Sequence, residues 1–219
     1  MEQVKFHFDP RCPWCYQTSR WAVRLEELGE IALDWGVFSL DVVNAEEGTD
    51  LRTLEARSGP ALRTVMAIRK KGHAELVGAF YTALGKRIWE QAPPEEDMAV
   101  AVRGALEEIG LDASIYEEAL ADPSSWDAVL DEHAQLVERT RSFGVPTIVL
   151  DGGKGPAIFG PVISSLPNDD DAVELWRHVS WLARYEDFSE LKRERVTPPN
   201  LPAAAWRRKQ SESEAKKKT

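Results

Sequence analysis

The only cysteines of this chain, Cys12 and Cys15, stand three positions apart in Cys12-Pro13-Trp14-Cys15. They follow an alternating apolar run, Val4-Lys5-Phe6-His7-Phe8-Asp9, and precede a stretch of helical periodicity that begins at Tyr16. A C-x-x-C pair on the first turn of a helix, directly after a strand, is the layout of a dithiol redox centre. Cys12 falls at the helix end, where free backbone N–H groups and the positive end of the dipole favour a thiolate. Pro13 suits the first helical position, because its missing donor costs nothing there. Cys15 returns one turn later on the same face, within reach of a sulfur bonded to Cys12. The competing readings are structural thiols and zinc. Zinc asks for four ligands, yet no second cysteine pair exists and His7, His73, His133 and His178 are scattered. The expectation is therefore redox chemistry without a metal, with an exposed Cys12 as nucleophile and Cys15 as resolving thiol.

Composition narrows the partners. A chain of 219 residues holds one sizeable core, or one domain carrying an insertion. The net charge of −10, with no basic face to offset it, argues against nucleic acid. The apolar stretches are too short to span a membrane. Met1-Glu2-Gln3 leads straight into the first strand, without the basic, apolar and small-residue segments of a secretion signal. The expected location is cytoplasmic, where a cysteine pair cycles rather than staples. A homodimer is admitted by the sequence but not demanded by it.

Along the chain, a strand over about Val4–Asp9 leads into a helix from Pro13 to about Leu28, stopped by Gly29. Ile31–Val37 alternates as a second strand. Residues 51–124 carry helical stripes instead, such as Leu76/Val77/Phe80/Tyr81/Leu84, broken at Gly59-Pro60, Pro93-Pro94 and Asp122-Pro123. They are expected to form an inserted helical subdomain between the two parts, 1–50 and 125–200, of an α/β domain. A helix over about Ser125–Phe143 returns to that domain. A strand over Val145–Asp151, a hairpin turn at Gly152-Gly153-Lys154-Gly155 and a partner strand over Ala157–Gly160 follow. A phosphate loop is rejected for those glycines, because the G-x-x-x-x-G-K-[ST] spacing is absent. Asn168 and three aspartates open a last helix, to about Tyr185, and residues 201–219 read as a charged, disordered tail.

The resulting order of elements is the thioredoxin arrangement with an all-helical insertion, and it resembles the DsbA-type branch of thioredoxin-fold oxidoreductases. Short stretches further resemble the mycothiol-dependent nitroreductase group. They include Phe8-Asp9-Pro10-Arg11-Cys12-Pro13-Trp14-Cys15, Thr18-Ser19-Arg20-Trp21, Tyr81-Thr82-Ala83-Leu84-Gly85-Lys86-Arg87-Ile88, Pro146-Thr147-Ile148 and Phe159-Gly160-Pro161-Val162. The resemblance implies mycothiol as a low-molecular-weight thiol co-substrate, and a small electrophilic or nitroaromatic compound as acceptor. The chain departs from the group at Trp89, where the resemblance would place a histidine. No G-x-G-x-x-G is present, so no tightly bound nicotinamide or flavin is expected.

The same resemblance places Val145-Pro146 as a cis bond packed against the cysteine turn, leaving the backbone before it free to meet an incoming thiol. Candidate substrate-binding residues are Pro13, Trp14, Asn44, Val145 and Thr147, with Pro146 beside the catalytic cysteines. Each has a blander reading. Trp14 is a packed aromatic or a platform for a flat substrate, Thr147 a plain strand residue, and Asn44 a loop asparagine. Arg11 is a surface charge or a thiolate partner, and His7 reads best as a satisfied core histidine. Two alternatives stay open: a DsbA-like protein disulfide oxidase or isomerase, which needs an oxidising compartment, and a non-catalytic chaperone or binding module, whose usual mark is a lost cysteine.

Overall fold

The computed structural model describes residues 1–217. Strand β1 (Glu2–Phe8) keeps its alternation only at the start. From Phe6 onward every residue is buried, as in a central strand covered on both faces. Helix α1 (Pro13–Glu27) carries the chain over to β2 (Ile31–Val37), which lies parallel to β1 from Glu2↔Ile31 to Phe8↔Val37. The predicted stop at Gly29 is real. Its φ of 77° lets the chain reverse, while Glu30 N–H reaches back to the Leu25 carbonyl.

A short helix α2 (Leu40–Val43) comes next, followed by α3 (Gly59–Lys70), a 3₁₀ turn over Ala74–Leu76, and α4 (Val77–Gly85). The chain then widens into a π-helical turn over Lys86–Glu90 before α5 (Met98–Glu108) and α6 (Ile115–Ala121). The stripes read from the sequence are the buried faces of these helices: Leu62 and Val65 in α3, Phe80, Tyr81 and Leu84 in α4, Val102 and Leu106 in α5. Helix α7 (Ser124–Thr140) returns to the sheet and ends on Arg141 in a left-handed conformation, φ 56°, just short of the expected end near Phe143.

Strand β3 (Thr147–Val149) is shorter than expected. At Leu150 the chain enters one distorted turn, α8 (Leu150–Gly153), in which Asp151 and Gly152 are both left-handed. That turn closes the hairpin to β4 (Ala157–Phe159), and the four strands run in the order β2-β1-β3-β4 with β3 antiparallel to both its neighbours. Helix α9 (Asp169–Arg184) starts where the aspartates predicted, with Asn168 Oδ1 accepting the Asp171 N–H at 2.9 Å. It packs on α1 through Trp176 and Trp21, whose indole donates to the Ala172 carbonyl at 3.1 Å.

The tail requires a correction. Instead of disorder from residue 201, the chain forms α10 (Pro202–Lys217); residues 218–219 lie outside the described part. Leu201 and Ala203 are buried, and Arg207 pairs with Glu96 while lying 4.7 Å over the Trp89 ring. The apolar anchor is confined to the first residues of the helix, so no periodic stripe announces it. No helix among the described residues is long and apolar enough to cross a membrane.

Candidate active site

The site is built where β1 ends. Asp9, directly after the strand, is fully buried, and its carboxylate accepts the N–H groups of Arg11 (2.8 Å) and Leu40 (2.7 Å) and the Ser58 hydroxyl (2.9 Å). One side chain therefore ties the cysteine turn to α2 and to the head of α3. Burial pushes this carboxyl up to about 6, against the pull of those donors. From the π turn, Trp89 Nε1 donates to the Pro10 carbonyl at 2.9 Å, so the residue that departs from the expected histidine holds the same turn.

Cys12 is the N-cap of α1, with Pro13 inside the first turn. Its sulfur accepts the Cys15 N–H at 3.3 Å and donates to the Val145 carbonyl at 3.7 Å. Cys15 is completely buried and gives its own S–H to the His7 carbonyl at 3.8 Å; both thiols are free. The expectation of an exposed, acidic Cys12 is corrected here, since only 9% of its surface is open. Burial pushes the thiol up to about 11, helped by the Asp9 charge and opposed by the N–H groups of Cys15 and Trp14 and by Arg195. Cys15 is held well above the ordinary thiol range, again chiefly by burial.

The Val145–Pro146 bond is cis and abuts Cys12. Thr147 pairs with His7 across the sheet; its side chain is fully buried and its hydroxyl donates to the Gly144 carbonyl at 2.8 Å. Asn44 ends α2, exposed, with its amide given to the Leu40 carbonyl at 2.6 Å. The structure thus brings Cys12, Cys15, Pro13, Trp14, Val145 and Pro146 together, whereas the Thr147 hydroxyl turns to the Gly144 carbonyl and the Asn44 amide N–H to the Leu40 carbonyl. His7 is the core histidine expected, held neutral with its pKa lowered to about 4 by burial. Arg11 uses its backbone N–H on Asp9.

Three residues escaped the sequence reading. Asp9 had a signal, an acid at the end of an apolar strand. Tyr81 looked like one more member of a core stripe, yet it stacks on Phe8 at 3.9 Å and meets Tyr16 edge-on. Arg195 comes from a coil with no pattern, and its guanidinium lies 5.6 Å from the Trp14 ring centroid.

A free thiol capping a helix, a buried partner one turn on, and a cis-proline loop against the first sulfur can exchange disulfides. With this topology they define a thiol–disulfide oxidoreductase of the thioredoxin class. Residues 11–193 match the family described as Rv2466c-like, mycothiol-dependent nitroreductase Rv2466c, and the chain belongs to that family. It is 34% identical over 204 residues to the uncharacterized protein Rv2286c of Mycobacterium tuberculosis, covering 93% of this chain and 84% of that one. Among solved structures, the fold is similar to a probable DsbA oxidoreductase, SCO1869, from Streptomyces coelicolor (18% identity, TM-score 0.55, 90% and 95% of the two chains). It is also similar to the cytosolic disulfide reductase DsbM of Pseudomonas aeruginosa (17% identity, TM-score 0.56, 82% and 99%).

Proposed function

We propose that this protein reduces small electrophilic compounds, nitroaromatics among them, or small disulfides, with electrons drawn from mycothiol in the cytoplasm. The observation that carries this reading is an intact Cys12–Cys15 dithiol, built as above, in a chain of a family described as mycothiol-dependent. Cys12 is the attacking sulfur, and the Val145 backbone and Trp14 flank the position an incoming thiol or flat acceptor takes. Asn44 and Thr147 are assigned to the same substrate region by the family resemblance.

The electrons balance without a bound cofactor. Two electrons and two protons pass from the dithiol to a nitro group, which becomes a nitroso group and water and leaves the Cys12–Cys15 disulfide. One mycothiol sulfur then attacks Cys12, freeing Cys15 as a thiol. A second mycothiol attacks that mixed disulfide, releasing mycothiol disulfide and restoring Cys12. The test couples the reaction to NADPH oxidation and compares mycothiol, glutathione and thioredoxin as electron sources. The expected result is nitroaromatic turnover with mycothiol, abolished in Cys12→Ser. Fast insulin reduction with no nitroaromatic turnover would overturn the assignment in favour of a protein disulfide oxidoreductase.

A further inference from the structure

The Tyr81 hydroxyl is fully buried and has no hydrogen-bond partner, one of only two such side-chain atoms, with Gln17 Oε1, among the described residues. An unpaired buried hydroxyl is destabilising, and removing it should help the fold unless it is used at another stage of the cycle. Its ring is held on several sides. Phe8 stacks against it with planes 17° apart, and Tyr16 and Trp35 meet it edge-on at 5.8 and 5.7 Å. Phe8 ends β1 and Tyr16 lies on α1, so the ring is held against the two elements that carry the cysteine turn, and its hydroxyl interacts with the Cys15 sulfur.

We propose that Tyr81 is the hydrogen-bond donor to the Cys15 thiolate, and so acts in the step in which Cys15 resolves a mixed disulfide on Cys12. In the thiol form Cys15 gives its proton toward His7 O, and the phenol makes no aligned bond to it. When Cys15 ionises, its sulfur becomes a charged acceptor beside a donor that is already dry and oriented. A bond made only as charge develops lowers the barrier rather than stabilising the resting state. The phenol is itself kept protonated, by burial first and then by the nearby sulfurs, while Tyr81 pulls the Cys15 pKa down against its burial. The other groups that face the pair are Cys12 at the head of α1, the Asp9 carboxyl on the β1–α1 loop, and Arg20 further along α1.

The step balances. Cys15 loses its proton to water, its electron pair forms the bond to Cys12 Sγ, and the sulfur previously bonded to Cys12 leaves as a thiolate. This inference rests on the dithiol exchange of the proposed function but not on its thiol or acceptor, and the probe keeps them separate. Reduced protein mixed with Ellman's reagent in stopped flow releases one thionitrobenzoate when Cys12 attacks and a second when Cys15 resolves. Tyr81→Phe keeps the ring and its stack. It should slow the second release about tenfold at neutral pH and raise its pH midpoint by about one unit, leaving the first release unchanged and thermal stability equal or higher. Site-specific difluorotyrosine at 81, a stronger donor, should move the midpoint down. Unchanged second-phase rates and midpoints in both variants would overturn the proposal, as would equal slowing of both phases.

Discussion

At Cys12, burial and local donors act in opposite directions. The rise to about 11 corresponds to roughly 3 kcal/mol against the thiolate, and it remains after the pull of the Cys15 and Trp14 N–H groups. Among the groups that favour the thiolate, Arg195 is the cation. In the reduced protein, iodoacetamide followed by mass spectrometry should alkylate Cys12 first, since Cys15 has no exposed surface. Arg195→Gln should move the pH midpoint of that labelling upward by roughly half a unit. Preferential labelling of Cys15 would reverse the assignment of roles. The identity of the two sulfurs was legible from spacing alone, because helix periodicity fixes where the second one lies. The burial of the first was not, because the Val145–Pro146 loop, distant in the chain, meets its sulfur.

Between elements, α4 comes close to α1 at Gly85. A Cβ on Gly85 would stand 1.8 Å from the Tyr16 ring, whose hydroxyl reaches across to Glu90 at 2.7 Å. In an isolated helix Gly→Ala gains about 1 kcal/mol, but forcing a methyl into an aromatic ring costs about 1–3 kcal/mol and displaces its neighbours. Gly85→Ala should accordingly lower the melting temperature by several degrees and slow Cys15 chemistry, because Tyr16 and Tyr81 move together; a variant as stable and as fast as wild type would show that the contact is loose. The stripes of residues 51–124 were readable as helices from their period. The π turn at 86–90, which brings both Trp89 and Glu90 to the cysteine turn, has no such period, since a widened turn is imposed by packing rather than by propensity.

Across the whole molecule, stability should depend on pH in a direction set by three buried groups. His7 and His133 have folded pKa values lowered to about 4 by burial, and His133 Nδ1 must stay unprotonated to accept the Ser39 N–H. Their contribution is present above pH 6.5 and is lost as pH falls toward 4. Asp9 runs the other way, raised to about 6, so it returns stability over part of the same interval. Two histidines outweigh one acid, and chemical denaturation should lose on the order of 3 kcal/mol between pH 7 and 4.5. His133→Gln should remove most of that fall; an unchanged profile would mean that the imidazole is hydrated. At this scale the division is clear. The spacing of Cys12 and Cys15, the periods of the strands and helices, and the breaks at Gly29 and Pro123 are local, and local geometry follows from neighbouring residues, so the sequence alone determined the order of elements and the dithiol. Tertiary structure decided that Asp9, Tyr81, Trp89 and Arg195 meet at one turn and that the charged tail docks as a helix. Those contacts join residues far apart in the chain, and neither period nor spacing records them.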